Sequence, residues 1–122
     1  MAPMNTVFSL TDYRRKRRRV FFTRRELNQL LSLYSRQVMR GEWRDYAIDQ
    51  RDGAAFFSVF RHTQESALFT VVKTASDTRP PAYEVMQGRH HLASGPALGE
   101  VLMAIQRTLG PVRLLRDGES SR

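Results

Sequence analysis

The sequence predicts an α+β domain, built as a helix, an antiparallel meander of three to five strands, and a second helix that joins the first on one face of the sheet. Three observations predict it. Residues 43–74 hold three short apolar runs, and turn residues fill each gap between them, as in a meander. Apolar residues at helical spacing flank that stretch: Leu27, Leu30, Leu31, Tyr34 and Val38 before it, Leu98, Val101, Leu102, Ile105 and Leu109 after it. The length, 122 residues with 41% hydrophobic content, suits one compact domain with loose ends. Residues 1–19 are expected to form a disordered arm, 20–110 the domain and 111–122 a flexible tail.

Along the chain, residues 1–13 carry no period. Arg14, Arg15, Lys16, Arg17, Arg18 and Arg19 follow without interruption, and six like charges in a row repel too strongly to pack. Val20, Phe21 and Phe22 then return the chain to the core. Thr23 to Glu26 has the T-x-x-E pattern of a capping box, and Phe22 and Leu27 stand at the two positions of a hydrophobic staple. The first helix therefore starts at Thr23, and Gly41 is placed to end it in the left-handed conformation. Opposite its apolar stripe, Arg25, Gln29, Ser32, Arg36 and Arg40 fit within about 80° of arc.

The first strand run, Trp43 to Asp49, ends at Gln50-Arg51-Asp52-Gly53, where Asp-Gly supplies the positive-φ conformers of a tight hairpin. The second, Ala54 to Arg61, is apolar on both faces, with Ala55, Phe57 and Val59 set against Ala54, Phe56 and Phe60. The third, Ala67 to Thr74, sets Phe69 and Val71 against Leu68 and Val72. A half-solvated sheet alternates apolar with polar, so this pair calls for two covers. Helices supply one. The other falls to the tail, the arm, a second subunit or a flat partner such as stacked bases. Pro80 and Pro81 keep residues 75–81 out of any ladder. Tyr83, Val85 and Leu92 suggest a last hairpin turning at Gln87-Gly88-Arg89, Gly95 and Pro96 fit the cap and first position of the second helix, and Gly110-Pro111 stops it.

Composition removes several function classes. No Cys means no disulfide, thiolate metal site or cysteine nucleophile. No apolar run approaches the ~18 residues of a membrane span, and the first residues lack the apolar segment of a secretory signal, so the expected setting is cytoplasmic. Asp45 and Asp49, four residues apart on a strand, are separated by about 13 Å, too far to share a metal or a proton. His90 and His91 point to opposite faces of an extended segment, and His62 is the remaining histidine. Ser58 and Ser94 lack a nucleophile elbow, and no glycine-rich phosphate loop is present. A non-enzymatic protein without cofactor or metal is expected.

Charge is more informative. Residues 12–25 hold eight basic residues and one acidic, a net +7, leaving twelve basic and eleven acidic residues elsewhere, a net +1. A nearly neutral domain thus carries a cationic arm. Arginine outnumbers lysine 18 to 2, and guanidinium takes phosphate in bidentate fashion and stacks on bases. The surplus also runs through the whole chain, as coding bias would produce. The expected activity is nucleic-acid binding, chiefly through phosphates, by Arg14, Arg15, Lys16, Arg17, Arg18 and Arg19 with Arg24, Arg25, Arg36 and Arg40 of the first helix. The alternative is a protein-interaction module that dimerises or docks through an apolar sheet face, its arm contacting an acidic protein or an anionic membrane. A merely solubilising arm is the plainest alternative. Trp43 and Arg44 offer a partner surface, beside the structural role in which Trp43 packs a corner and Arg44 or Asp45 pairs across strands.

Two resemblances bear on this. The order helix, three strands, helix resembles the double-stranded-RNA-binding domain over residues 23–109, in topology alone. That family carries a lysine-rich phosphate anchor at the start of its second helix, where Ser94-Gly95-Pro96-Ala97 here contains no base. An extra strand between 82 and 93 also departs from it, so the resemblance implies a fold and no activity. More specifically, Phe22-Thr23-Arg24-Arg25-Glu26-Leu27, the run Gly41-Glu42-Trp43-Arg44-Asp45-Tyr46-Ala47-Ile48-Asp49, and Phe57-Ser58-Val59-Phe60-Arg61 occur in order. Together they resemble a family of small bacterial proteins catalogued only as a domain of unknown function, over about residues 20–109. That resemblance implies a bacterial, soluble setting and no mechanism.

Overall fold

The computed structural model of the chain describes residues 19–62 and 66–109. Its elements are α1 (Arg24–Met39), β1 (Asp45–Arg51), β2 (Ala54–Phe60), β3 (Phe69–Thr74), β4 (Ala82–Gln87), β5 (His90–Gly95) and α2 (Leu98–Leu109). The strands pair in chain order, each antiparallel to the next. The fold is α+β, a five-stranded meander with both helices on one side. The two last strands separate it from the three-stranded arrangement of the RNA-binding fold.

Local chemistry explains the ends of α1. The Thr23 hydroxyl accepts from the Glu26 amide at 3.1 Å, and the Glu26 carboxylate accepts from the Thr23 amide at 2.7 Å, so the capping box closes in both directions. At the other end Gly41 has φ +79, and the amides of Gly41 and Glu42 donate to the carbonyls of Val38 and Gln37 at 2.9 and 2.8 Å. This is the Schellman arrangement, which satisfies carbonyls the helix would otherwise leave open.

The phase of α1 differs from its apolar stripe. The buried residues are Glu26, Leu30, Leu33 and Gln37, while Leu27, Leu31 and Tyr34 are half-buried and Val38 is 39% exposed. The helix is rolled by roughly a quarter-turn from the expected orientation, given about 100° per residue. Glu26 accounts for one end of the roll, because partners on the sheet draw it inward. Trp43 accounts for the other: only 4% exposed, it fills the corner below α1, 6.4 Å from the Tyr34 ring and 6.0 Å from Phe69. Of the two roles open to Trp43, packing is the one realised, and its indole is not at the surface.

The hairpins follow their turn residues. Asp52 (φ 47) and Gly53 (φ 79) both occupy the left-handed region, the pair a type I′ turn requires, and they set Arg51 opposite Ala54. Gly88 turns β4 into β5, and a bulge leaves Leu92 without a partner between His91 and Ala93. Gly95 belongs to β5, and α2 starts at Leu98, later than the Gly-Pro pair suggested. The residue before a proline favours extended backbone, so Gly95-Pro96 prolongs the strand before the helix can begin.

The core lies between the sheet and the helices. Phe57, Val59, Phe69, Val71 and Val85 face Leu30 and Leu33 of α1 and Val101, Leu102 and Ile105 of α2. The outer face is less apolar than expected. Phe56, Phe60, Val72 and Met86 are interleaved with Ser58, Thr70 and Glu84, all of intermediate exposure. Ser58 and Thr70 share a hydrogen bond of 3.2 Å, Glu84 pairs with His91 at 3.5 Å, and the Arg51 guanidinium lies 5.0 Å from the Phe56 ring centre. Polar lacing and a stacked cation thus break up the apolar surface of this face among the described residues. At the β1 edge, Asp45 and Asp49 accept from the amides of Tyr46 and Gln50, each at 2.8 Å. The two carboxylates guard strand donors against a further chain. Among the described residues no helix is long and apolar enough to cross a membrane.

Candidate functional site

Two features meet around α1: a buried polar clasp at the root of the arginine run, and a groove between α1 and α2. The clasp arises from register. Lys73 of β3 and Tyr83 of β4 are direct cross-strand partners on the core face, below the first turn of α1. Glu26, already turned back by its capping box, meets both. The Lys73 ammonium donates to Glu26 Oε1 at 2.8 Å and to the Phe21 carbonyl at 2.8 Å, and the Tyr83 hydroxyl donates to Glu26 Oε2. Glu26, Lys73 and Tyr83 are 8%, 6% and 7% exposed, so each charge relies on its partners rather than on water. With the Gln50 side-chain amide (Nε2) donating to the Val20 carbonyl at 3.1 Å, the clasp ties residues 20–21 to the sheet. Sequence reading took Glu26 for a cap alone and passed over Lys73. The available signal was that the domain's one lysine, in a chain that elsewhere uses arginine, shares a strand face with Phe69 and Val71.

The clasp gives stability a definite pH dependence. Burial pushes the Glu26 carboxyl up, but hydrogen bonds from Lys73, Tyr83 and the Thr23 amide, with the Lys73 charge, outweigh it and hold the carboxyl below its ordinary 4.5. Burial and the bond to Glu26 push the Tyr83 hydroxyl up to about 12. A lowered carboxylate contributes stability above its ordinary value, lost as pH falls through the folded value. A raised phenol contributes below its ordinary 10.0, lost as pH rises towards about 12. Thermal melts across pH should show a plateau between these limbs. Glu26→Gln should shrink the acid limb, and Tyr83→Phe the alkaline one.

The groove has a volume of about 440 Å³. Arg25, Gln29, Ser32 and Arg36 of α1 form one wall, with Asn28 beside them, and Gly99, Met103 and Gln106 of α2 form the other. The roll of α1 creates it: the polar ridge flanks the buried face and borders α2 instead of lying opposite the core. Gly99 faces Gln29 across it: a Cβ there would sit 3.7 Å from the Gln29 side-chain nitrogen, an ordinary van der Waals contact. Leu33 and Leu102 floor the groove. Arg25 and Arg36 are exposed, and neither has a carboxylate partner among the described residues. Arg25 also sits in the first helical turn, where the macrodipole adds to the positive field.

The other sequence-named residues are scattered around this pair. Arg14, Arg15, Lys16, Arg17 and Arg18 lie outside the described residues. Arg19, Arg24 and Arg40 are exposed but do not line the groove. Arg44 is exposed, its amide donating to the Phe60 carbonyl at 2.8 Å and its carbonyl accepting from the Tyr34 hydroxyl at 3.0 Å. The α2 half of the groove, Gly99, Met103 and Gln106, was not named from sequence, because nothing in the pattern of either helix says which flank meets the other.

Residues 20–102 match the family described as a protein of unknown function (DUF2794). The matched span starts just after the arginine run and includes α1, the whole sheet and the first turn of α2. No curated protein and no solved structure matches the chain.

Proposed function

We propose that this chain, which belongs to that family, is a small non-enzymatic protein that binds nucleic acid through its phosphates. The arginine run and the arginines of α1 would make the contacts. The observation that carries the reading is the separation of charge: +7 in residues 12–25 beside a remainder of +1. A polyanion rewards such clustering, because each neutralised phosphate releases condensed counterions. The clasp supports it too. It holds the Phe21 carbonyl on the sheet, two residues after the run ends in sequence, and α1 then carries Arg24, Arg25 and Arg36, the last without a carboxylate partner among the described residues. The rival reading, a protein-interaction module working through the outer sheet face, has less to support it, because that face carries its own polar lacing.

Fluorescence anisotropy with a mixed-sequence oligonucleotide tests the proposal, comparing the full chain with one lacking residues 1–19. The truncated chain keeps Val20, Phe22 and the clasp, so its fold should persist. Its affinity at low salt is expected to fall by about three decades or more if the six cations of the run all meet phosphates. Equal affinity in the two chains would reject the arm as the binding element.

A further inference from the structure

We infer that the groove between α1 and α2 admits an unpaired base, so that the protein prefers single-stranded nucleic acid to duplex. This rests on the phosphate-binding reading above and names the form of nucleic acid it serves.

Size points first in this direction. Packed helices run with axes about 8–10 Å apart, and a duplex shows its bases only from within grooves about 6 and 12 Å wide. A crevice between two helices therefore cannot read a duplex, whereas a base splayed from a single strand can enter it. At about 440 Å³ the groove falls within the roughly 300–1,000 Å³ typical of sites that bury a small ligand.

Chemistry points the same way. Three primary amides line it, Asn28, Gln29 and Gln106, each with donors and an acceptor, which suit the mixed edge of a base better than a bare phosphate. The floor of Leu33 and Leu102, with Met103 on the wall above it, offers an apolar surface for a base face. Arg25 and Arg36 stand eleven residues apart on α1, about 16 Å along its axis, one at each end of the amide wall. Guanidinium groups so placed can hold the backbone on either side of an inserted nucleotide or stack on it. A purely phosphate-binding ridge would need the arginines but not the apolar floor between the amides.

The test measures binding of the full chain to a labelled single strand and to a blunt duplex of the same sequence, at one salt concentration. Two variants accompany the parent: Met103→Trp, which fills the groove at a position 53% exposed, and the double variant Gln29→Ala/Gln106→Ala. The single strand should bind about tenfold tighter than the duplex. Either variant should reduce that preference towards equality while leaving duplex affinity unchanged. Should Met103→Trp unfold, the glutamine pair answers the same question on exposed side chains. Equal affinity for the two forms, or a preference that both variants keep, would overturn the groove and leave phosphate binding by the arm standing. Failure to bind either form would overturn both.

Discussion

Replacing Lys73 with alanine is expected to cost about 3–5 kcal/mol of folding stability, the range for removing one partner of a buried ion pair. Glu26, buried in the native chain at 8% exposure, would be left with only the Thr23 amide and the Tyr83 hydroxyl to compensate its charge. The loss should appear as a shifted midpoint in urea unfolding with an unchanged slope. It should also loosen the root of the arm, because Lys73 holds the Phe21 carbonyl. The double variant Lys73→Met/Glu26→Leu separates charge from packing. It should recover most of the loss, short of about 1 kcal/mol for the missing capping box, because apolar residues can replace a buried pair. A cost below about 1 kcal/mol for Lys73→Ala would mean that the clasp does not hold the fold together.

What could be read from the sequence divides by the range of the interaction. The Asp52-Gly53 hairpin, the Thr23–Glu26 capping box and the Gly41 stop are each decided within a few residues, and each forms as its residues dictate. So does the apolar stripe of α2, which is narrow enough to have one phase. In α1 the apolar residues Leu27, Leu30, Leu31, Leu33, Tyr34 and Val38 spread over about 160°, nearly half of the helix, so local pattern leaves its roll undetermined. Contacts far along the chain decide it, through Lys73 and Tyr83 on one side and Trp43 on the other. The candidate site inherits that division. Arg25, Gln29, Ser32 and Arg36 were visible as a ridge, but the ridge becomes a groove only once the roll brings it against Gly99, Met103 and Gln106. The outer sheet face shows the same division. Thr70 stands among apolar neighbours in sequence, and only register brings it against Ser58.

Neutralising the run is expected to have the larger functional effect. Changing Arg14, Arg15, Lys16, Arg17, Arg18 and Arg19 to serine removes six of the eight cations in residues 12–25. If all six meet phosphates, affinity for an oligonucleotide at about 50 mM salt should fall by three decades or more. Stability should barely change, because residues 20–23 and the clasp are untouched and surface substitutions usually stay within about 0.5 kcal/mol. Arg24, Arg25 and Arg36 would supply a weaker residual affinity. That contrast, between a variant that folds normally yet has lost its ligand and Lys73→Ala, which is destabilised directly, separates the arm's role from the scaffold's.

Nucleic-acid binding by charge is tested most directly by the salt dependence of the intact protein's affinity for a mixed-sequence single strand between about 50 and 200 mM salt. Six phosphate contacts predict a slope of log affinity against log salt near −5, a loss of about 10³ across that interval. A slope near zero, or no binding at the lowest salt, would contradict the account.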